Sequence, residues 1–393
     1  MIIYNTTWLK HLIIQDQMKK AHRANQLSAE ELQAIQHKYP VGFYSSNLFL
    51  RIGLFLVTTT LTSFAFGLLS LLLSNSHIVE SPGYFAFLGI LSYVALEVAV
   101  RVYHHYKSGV DDALIWTSGS LLLTALYIFL DKSAFSFKGY VDELLISGLV
   151  FLLSTYFTLR FAHMAMALLS FCAFIAFIFF AWNSYGFYTL STMPFLLIIM
   201  ATMIYFFALQ LVKKYWIYQD CLGMLQFISL LTGYAAGNYF VVRELGSSMN
   251  HVVLLPDQDI PYAWFFWLWT FCIPFVYIAM GLKRKDIVLI RTGLILIAAA
   301  CFTLRNYHHI ASIEWILVSS GALLLATSYG LIRYLKTPKY GFTVAELDSD
   351  HILDNLKVES LIVSGTFGDG TTAAEGSRMG GGSFGGGGAS SDF

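Results

Sequence analysis

Charged residues are what this 393-residue chain has least of: Asp, Glu, Lys and Arg make up 12% of it, against roughly 25% in a soluble domain. That shortage excludes an ordinary soluble fold. The formal net charge is zero, and no nucleic-acid partner is expected. Cysteine is scarce as well. Cys172, Cys221, Cys272 and Cys301 show no paired spacing, which excludes a disulfide framework and a cysteine metal site, and they read as small apolar residues. The chain has no HExxH and no CxxC; no catalytic residue, cofactor or metal is assigned, and no enzyme is expected. No Asp or Glu falls near the middle of a long apolar stretch, which counts against a proton or sodium relay built on a buried carboxylate. Met1-Ile-Ile-Tyr is too short an apolar run for a cleaved signal peptide.

What is abundant is hydrocarbon. Hydrophobic residues make up 57% of the chain and its mean hydropathy is +0.64. About 20 apolar residues cross a bilayer core as a helix. Ten stretches qualify: Asn47–Leu73, Tyr84–Val102, Ala113–Leu130, Leu144–Leu159, Ala162–Trp182, Met193–Val212, Leu222–Val242, Tyr262–Leu282, Ile287–Leu304 and Ile313–Leu335. They are continuous and do not alternate at period two, so they read as helices and not barrel strands. The expected fold is all-α, a polytopic membrane protein of about ten transmembrane helices. Lys and Arg gather in alternate gaps, sixteen on one face against four on the other. This places both termini in the cytoplasm, with an inner (cytoplasmic) membrane as the expected location.

The ends are polar. Ser28-Ala-Glu-Glu31 opens a short helix that Pro40 stops, and an earlier helix runs around Trp8–Ala24. Residues 1–46 thus form a helical hairpin, 47–335 the membrane domain and 336–364 a linker with a short helix. Residues 365–393 are a disordered Gly-rich tail in which Phe384 and Phe393 are candidate docking residues. The hairpin and the tail are the candidate contacts for a membrane-protein partner; a homo-oligomer is the other assembly considered.

The tail string Gly380-Gly-Gly-Ser-Phe-Gly-Gly-Gly-Gly-Ala-Ser resembles the endings of uncharacterised bacterial membrane proteins, some with periplasmic TPM-type domains. The opening Leu27-Ser-Ala-Glu-Glu-Leu, with Lys38-Tyr-Pro-Val-Gly-Phe-Tyr after it, is similar to an uncharacterised multi-helix family of Bacteroidetes-type bacteria. The resemblance covers less than a fifth of the chain and implies no activity.

An internal repeat is also legible. Phe157-Thr-Leu-Arg160 matches Phe302-Thr-Leu-Arg305, Leu88–Leu96 resembles Leu222–Leu230, and Ala113 to Ile128 can be laid on Ala263 to Ile278. Each match pairs a helix with the fifth one after it, as a five-plus-five inverted repeat requires. That architecture resembles ten-helix drug/metabolite-type transporters, an analogy of fold alone.

Arg51, Glu97 and Arg291 are ionisable groups within the expected spans, and Arg101 stands four residues after Glu97. They are the candidate gate or ion pair. Thr59, Thr62, Gln226, Ser229, Asn238 and Ser320 are the candidate path-lining residues on helices one, seven and ten. Two His pairs, His104-His105 and His308-His309, fall on opposite faces and read as interfacial. The leading expectation is a transporter or permease for a small neutral or amphipathic solute. The alternative is a non-catalytic subunit or scaffold of an envelope complex.

Overall fold

A computed structural model describes residues 2–23, 26–74, 77–132, 141–184, 189–249 and 259–307, with isolated positions between 318 and 333. The chain divides into two units, Met1–Asp348 and Ser349–Phe393, and every described residue belongs to the first. Among the described residues the regular structure is helical, and Tyr44 and His105 form an isolated bridge. Ser320, His308, His309, Phe384, Phe393, the tenth expected crossing and the tail lie outside the described residues.

Two short helices come first, α1 (Thr6–Arg23) and α2 (Ala29–Lys38), packed as a hairpin. The Ser28 hydroxyl accepts from the Glu31 amide and the Glu31 carboxylate accepts from the Ser28 amide. This is the reciprocal cap expected from the sequence. His11 and Gln15 close the hairpin on the carbonyls of Pro40 and Tyr39.

Among the described residues eight helices are long and apolar enough to cross a membrane. They are α3 (Leu48–Leu72), α4 (Pro82–Arg101), α5 (Val110–Lys132), α6 (Val141–Phe161), α7 (Met164–Ser184), α8 (Thr189–Lys214), α11 (Ala263–Arg284) and α12 (Ile287–Tyr307). A ninth crossing is broken. After α9 (Gln219–Gly237) the chain bends by 75° at Asn238 into a π turn (Val241–Leu245) and the short α10 (Gly246–Met249). The first nine expected crossings are therefore each met by helix. The fourth and fifth do part, at Ala162-His163 and not at Arg160-Phe161; Ala162 takes a left-handed φ of 47° to turn the chain.

Consecutive helices pair as hairpins: α4 with α5, α6 with α7, α8 with α9, α11 with α12. At the centre stands α9, packed also on α7, α11 and α12. By contrast, α3 lies at the margin against α5 and buries none of its residues. Phe49 is 90% exposed on it, a surface that suits acyl chains. A five-plus-five repeat would have α3 with α4 answer α8 with α9. Instead α3 packs on α5, and α4 is continuous where its expected counterpart α9 breaks.

The hinge of this arrangement is Gly109, which has φ +97°. A Cβ there would stand 2.1 Å from the Arg51 carbonyl oxygen, so α3 and the start of α5 can approach only over glycine. Gly109→Ala is expected to lower the thermal midpoint in detergent, by strain of about 1–3 kcal/mol. Gly53→Ala, at a position with nothing within 4 Å, should leave it unchanged or raise it. Equal effects would remove the hinge from Gly109.

The capping box makes a second prediction. The hydrogen bonds from Ser28 hold the Glu31 carboxyl below its ordinary value of 4.5. A depressed carboxylate stabilises above its unfolded value and loses that stabilisation as pH falls through the folded one. The protection of α2 amides, taken relative to their intrinsic exchange rates, should therefore fall on acidification below about pH 4, and Glu31→Gln should flatten the dependence.

Candidate functional site

The segment joining α4 to α5 is wound tightly. His104 and Lys107 take left-handed φ of 54° and 49°, just before Gly109. The winding turns the amides of Lys107, Ser108 and Gly109 inward, and all three donate to the Asp111 carboxylate at 2.8, 2.9 and 3.2 Å. Asp111 is buried. It fills with its own side chain a nest of amides that would otherwise hold an anion.

One residue on, Asp112 gathers three helices. Arg51 of α3 grips it with a fork, Nε to Oδ2 at 2.6 Å and Nη2 to Oδ1 at 2.9 Å. His163, in the α6–α7 turn, brings Nε2 within 3.1 Å of Oδ1. The Met166 amide donates to His163 Nδ1 at 3.3 Å. That bond makes Nδ1 the acceptor and leaves the ring proton on Nε2, aimed at Asp112.

Glu97 forms a parallel centre. Its Oε1 accepts from Arg160 Nε and Nη2 at 3.0 and 2.7 Å and from the Tyr93 hydroxyl at 2.8 Å. Arg101 Nε approaches Oε2 at 2.8 Å, the i,i+4 pair expected from the sequence. The Tyr93 and Tyr156 hydroxyls stand 2.6 Å apart. Lys107 Nζ reaches Asp220 at the start of α9 at 2.6 Å. Burial works against the Lys107 charge, but Tyr106 and Asp220 outweigh it and leave its ammonium above the ordinary 10.5.

These bonds join the first turns of α3, α5, α7 and α9 to the last turns of α4 and α6 at one end of the bundle, here termed the basic end. The N-terminal segment closes over it. The Ile3 amide donates to the Arg160 carbonyl at 3.1 Å, and Tyr4 is buried with its ring edge on Tyr106. Trp8 lies edge-on to His104. Both carboxylates are saturated with donors in their charged form, so neither is arranged as a general base or a cation ligand.

Beside this end an apolar crevice opens between α6, α7, α8 and α9. Its volume is about 790 Å³, with Phe151, Phe171, Phe174, Ile204, Leu211 and Leu225 among its walls. The wall's polar atoms are spent internally: Thr155 and Ser170 bond each other at 2.7 Å, Thr158 donates to Ser154 O, and Tyr218 to Leu159 O. A second hollow of about 330 Å³ follows along α7, α8 and the bent end of α9, lined by Ala176, Phe179, Pro194 and Val242 among others.

At the far end the break in α9 is closed by side chains from its neighbours. Asn238 Nδ2 donates to Thr303 Oγ1 at 3.0 Å and to the Tyr234 hydroxyl at 3.1 Å, and Thr270 Oγ1 accepts from the Tyr239 amide. Gly237 admits the Trp269 ring, 2.2 Å from where a Cβ would stand. Trp267 stacks on Tyr239 with centroids 4.6 Å apart. The aromatic residues at the start of α11 are divided: Tyr262 and Trp264 face outward, while Phe266, Trp267 and Trp269 pack on protein.

The structure separates the expected gate residues. Arg51 belongs to the Asp112 centre, Glu97 and Arg101 to the Arg160 centre, and Arg291 stands on α12. The expected path residues are likewise not brought together. Thr59 and Thr62 are on marginal α3, and Gln226, Ser229 and Asn238 on central α9. Thr62 donates to its own helix at Thr58 O, and the Thr59 hydroxyl is enclosed with no hydrogen-bond partner among the described residues. Asp112, His163 and Arg160 were missed as site residues. The signals were Asp111-Asp112 at a helix start and a lone Arg at the tightest turn. Among the described residues no group of His, Cys, Asp and Glu could hold a metal ion.

No known family, curated protein or solved structure matches the chain.

Removing Asp112 strands the Arg51 guanidinium. Asp112→Ala is expected to cost about 3 kcal/mol, the lower bound for a buried pair, because Arg51 keeps some solvent. Arg51→Lys should restore part of what Arg51→Ala loses, since a point charge replaces a fork. Thermal midpoints of the purified variants read this out; an Asp112→Ala protein as stable as the parent would dismiss the centre as a structural tie.

Proposed function

We propose that this integral membrane protein is a permease-like carrier for a small amphipathic solute, which it holds in the apolar crevice between α6, α7, α8 and α9. The observation that carries the reading is a hollow of about 790 Å³ beside a rigidly tied bundle end, continued toward the opposite end by a second apolar hollow. Pockets of 300–1,000 Å³ are the usual size for small-molecule ligands. A wall whose hydroxyls are already bonded offers little to an ion or a sugar and much to a hydrocarbon chain. The basic end faces the cytoplasm on the charge count, and no reaction is assigned.

The test is flux of a short-chain fluorescent amphiphile across liposomes containing the full chain. Movement above protein-free vesicles is expected. Ile204→Trp and Leu225→Trp, which fill the crevice, should abolish it without lowering the thermal midpoint. Flux equal to that of empty vesicles for the parent protein would sink the proposal and turn attention to a partner-binding subunit.

A further inference from the structure

The crevice has a depth and a charged rim that together define its occupant more closely. On α8 its wall runs from Ile204 to Tyr215, about 16 Å at 1.5 Å per residue. That is about half of the ~30 Å hydrocarbon core, the depth of one leaflet. At the shallow end Tyr215 is 44% exposed, and Tyr218 stands beside it in the lining. Tyrosine collects at the level of lipid headgroups. Lys213 and Lys214 are exposed immediately before Tyr215, and the Lys214 ammonium lies 5.3 Å from the centre of the Tyr215 ring. The nearby acids are committed elsewhere: Asp220 to Lys107, Glu97 to Arg160 and Arg101, Asp112 to Arg51 and His163. None of the ion pairs among the described residues uses Lys213 or Lys214. Lys213 falls on the side of α8 away from the crevice wall, so the rim charge is that of Lys214 on the Tyr215 ring. A hollow one leaflet deep, mostly apolar and with an uncompensated lysine at its rim, fits a lipid chain below and a negative headgroup above.

We infer that the occupant is an anionic membrane lipid, with an acyl chain along α7 and α8 and its headgroup phosphate against Lys214 and Tyr215. The inference rests on the crevice being a solute site and adds the charge and class of the solute. The electrostatic part acts at the rim and is screened by salt. The hydrocarbon part is indifferent to charge and depends on the volume of the hollow.

The full-length protein, reconstituted in nanodiscs, is titrated with brominated-chain phosphatidylglycerol or brominated-chain phosphatidylcholine of the same length, and tryptophan quenching is followed. Phosphatidylglycerol should be preferred by about fivefold, and the preference should shrink in 0.5 M salt. Lys214→Gln should remove the preference and leave phosphatidylcholine quenching as it was, whereas Lys213→Gln should keep the preference. Leu225→Trp adds a fluorophore, so it is compared by native mass spectrometry, where it should lose both lipids. Glycerol phosphate, which has a headgroup and no chain, should not displace the lipid. Equal retention of both lipids, insensitive to salt and to the lysine variant, overturns the anionic inference and leaves an apolar site. Retention of neither overturns the crevice reading as well. Displacement by glycerol phosphate would make the rim a site for free phosphate and overturn the lipid assignment.

Discussion

Everything at the basic end depends on one condition: a carboxylate drawn toward a low-dielectric interior must have its oxygens supplied with donors. Asp112 meets it by taking both arms of Arg51 and the ring proton of His163, and Glu97 by taking Arg160, Arg101 and Tyr93. Left unpaired, either charge would cost several kcal/mol. Hydrocarbon cannot choose among helix registers, because lipid tails are as apolar as leucine. Directional charged bonds can, and here they fix six helix ends against one another.

That division of labour explains where the bundle is tight and where it is open. The tied end is crossed by hydrogen bonds. The α9 break at the opposite end is tied by Asn238, Thr270 and Thr303, which replace the backbone partners that a broken helix loses. The Trp182 indole donates to the Thr192 hydroxyl where α7 turns into α8; between that bond and the basic end the walls of the two helices are apolar side chains such as Phe171, Phe174 and Phe207. Nothing but apolar contact would close that seam. In a bilayer apolar contact is supplied as well by lipid as by protein, so a crevice persists there that water would force shut in a soluble fold.

Much of the fold was legible, and for a physical reason. The need to bond every backbone group inside a bilayer turns hydropathy directly into helices, and the capping box at Ser28 and Glu31 fixed α2 to the residue. The hydrogen bonds at the basic end also join the helix ends in the alternation that the Lys and Arg counts describe. The ion pairs were legible only within a helix. Glu97 and Arg101, four residues apart, were paired from spacing, whereas Arg51 with Asp112 spans 61 residues and Glu97 with Arg160 spans 63. No local pattern encodes those distances. The bend at Asn238 was hidden because no proline marks it. The repeat matches are sequence likenesses between helices that pack in different ways.

The same reasoning bears on what the proposed site could hold. Hydroxyls and amides in an apolar span line an aqueous path only if they are turned toward a shared space with bonding capacity left over. Thr60 and Thr62 give theirs to carbonyls of their own helix, Ser229 to the Gln226 carbonyl, and Asn238 to the repair of the α9 break. A hydrated ion entering beside them would find few free acceptors to replace its water, and the carboxylates that could compensate its charge are locked to arginines. A hydrocarbon chain has no such requirement. It gains by leaving water, it makes no demand on the bonded walls, and its polar head can remain at the rim beside Lys214 and Tyr215. These hydroxyls and amides are spent on their own helices or on the α9 break, and the wall of the crevice is mostly apolar, which is why an amphiphile suits the proposed site better than an ion does.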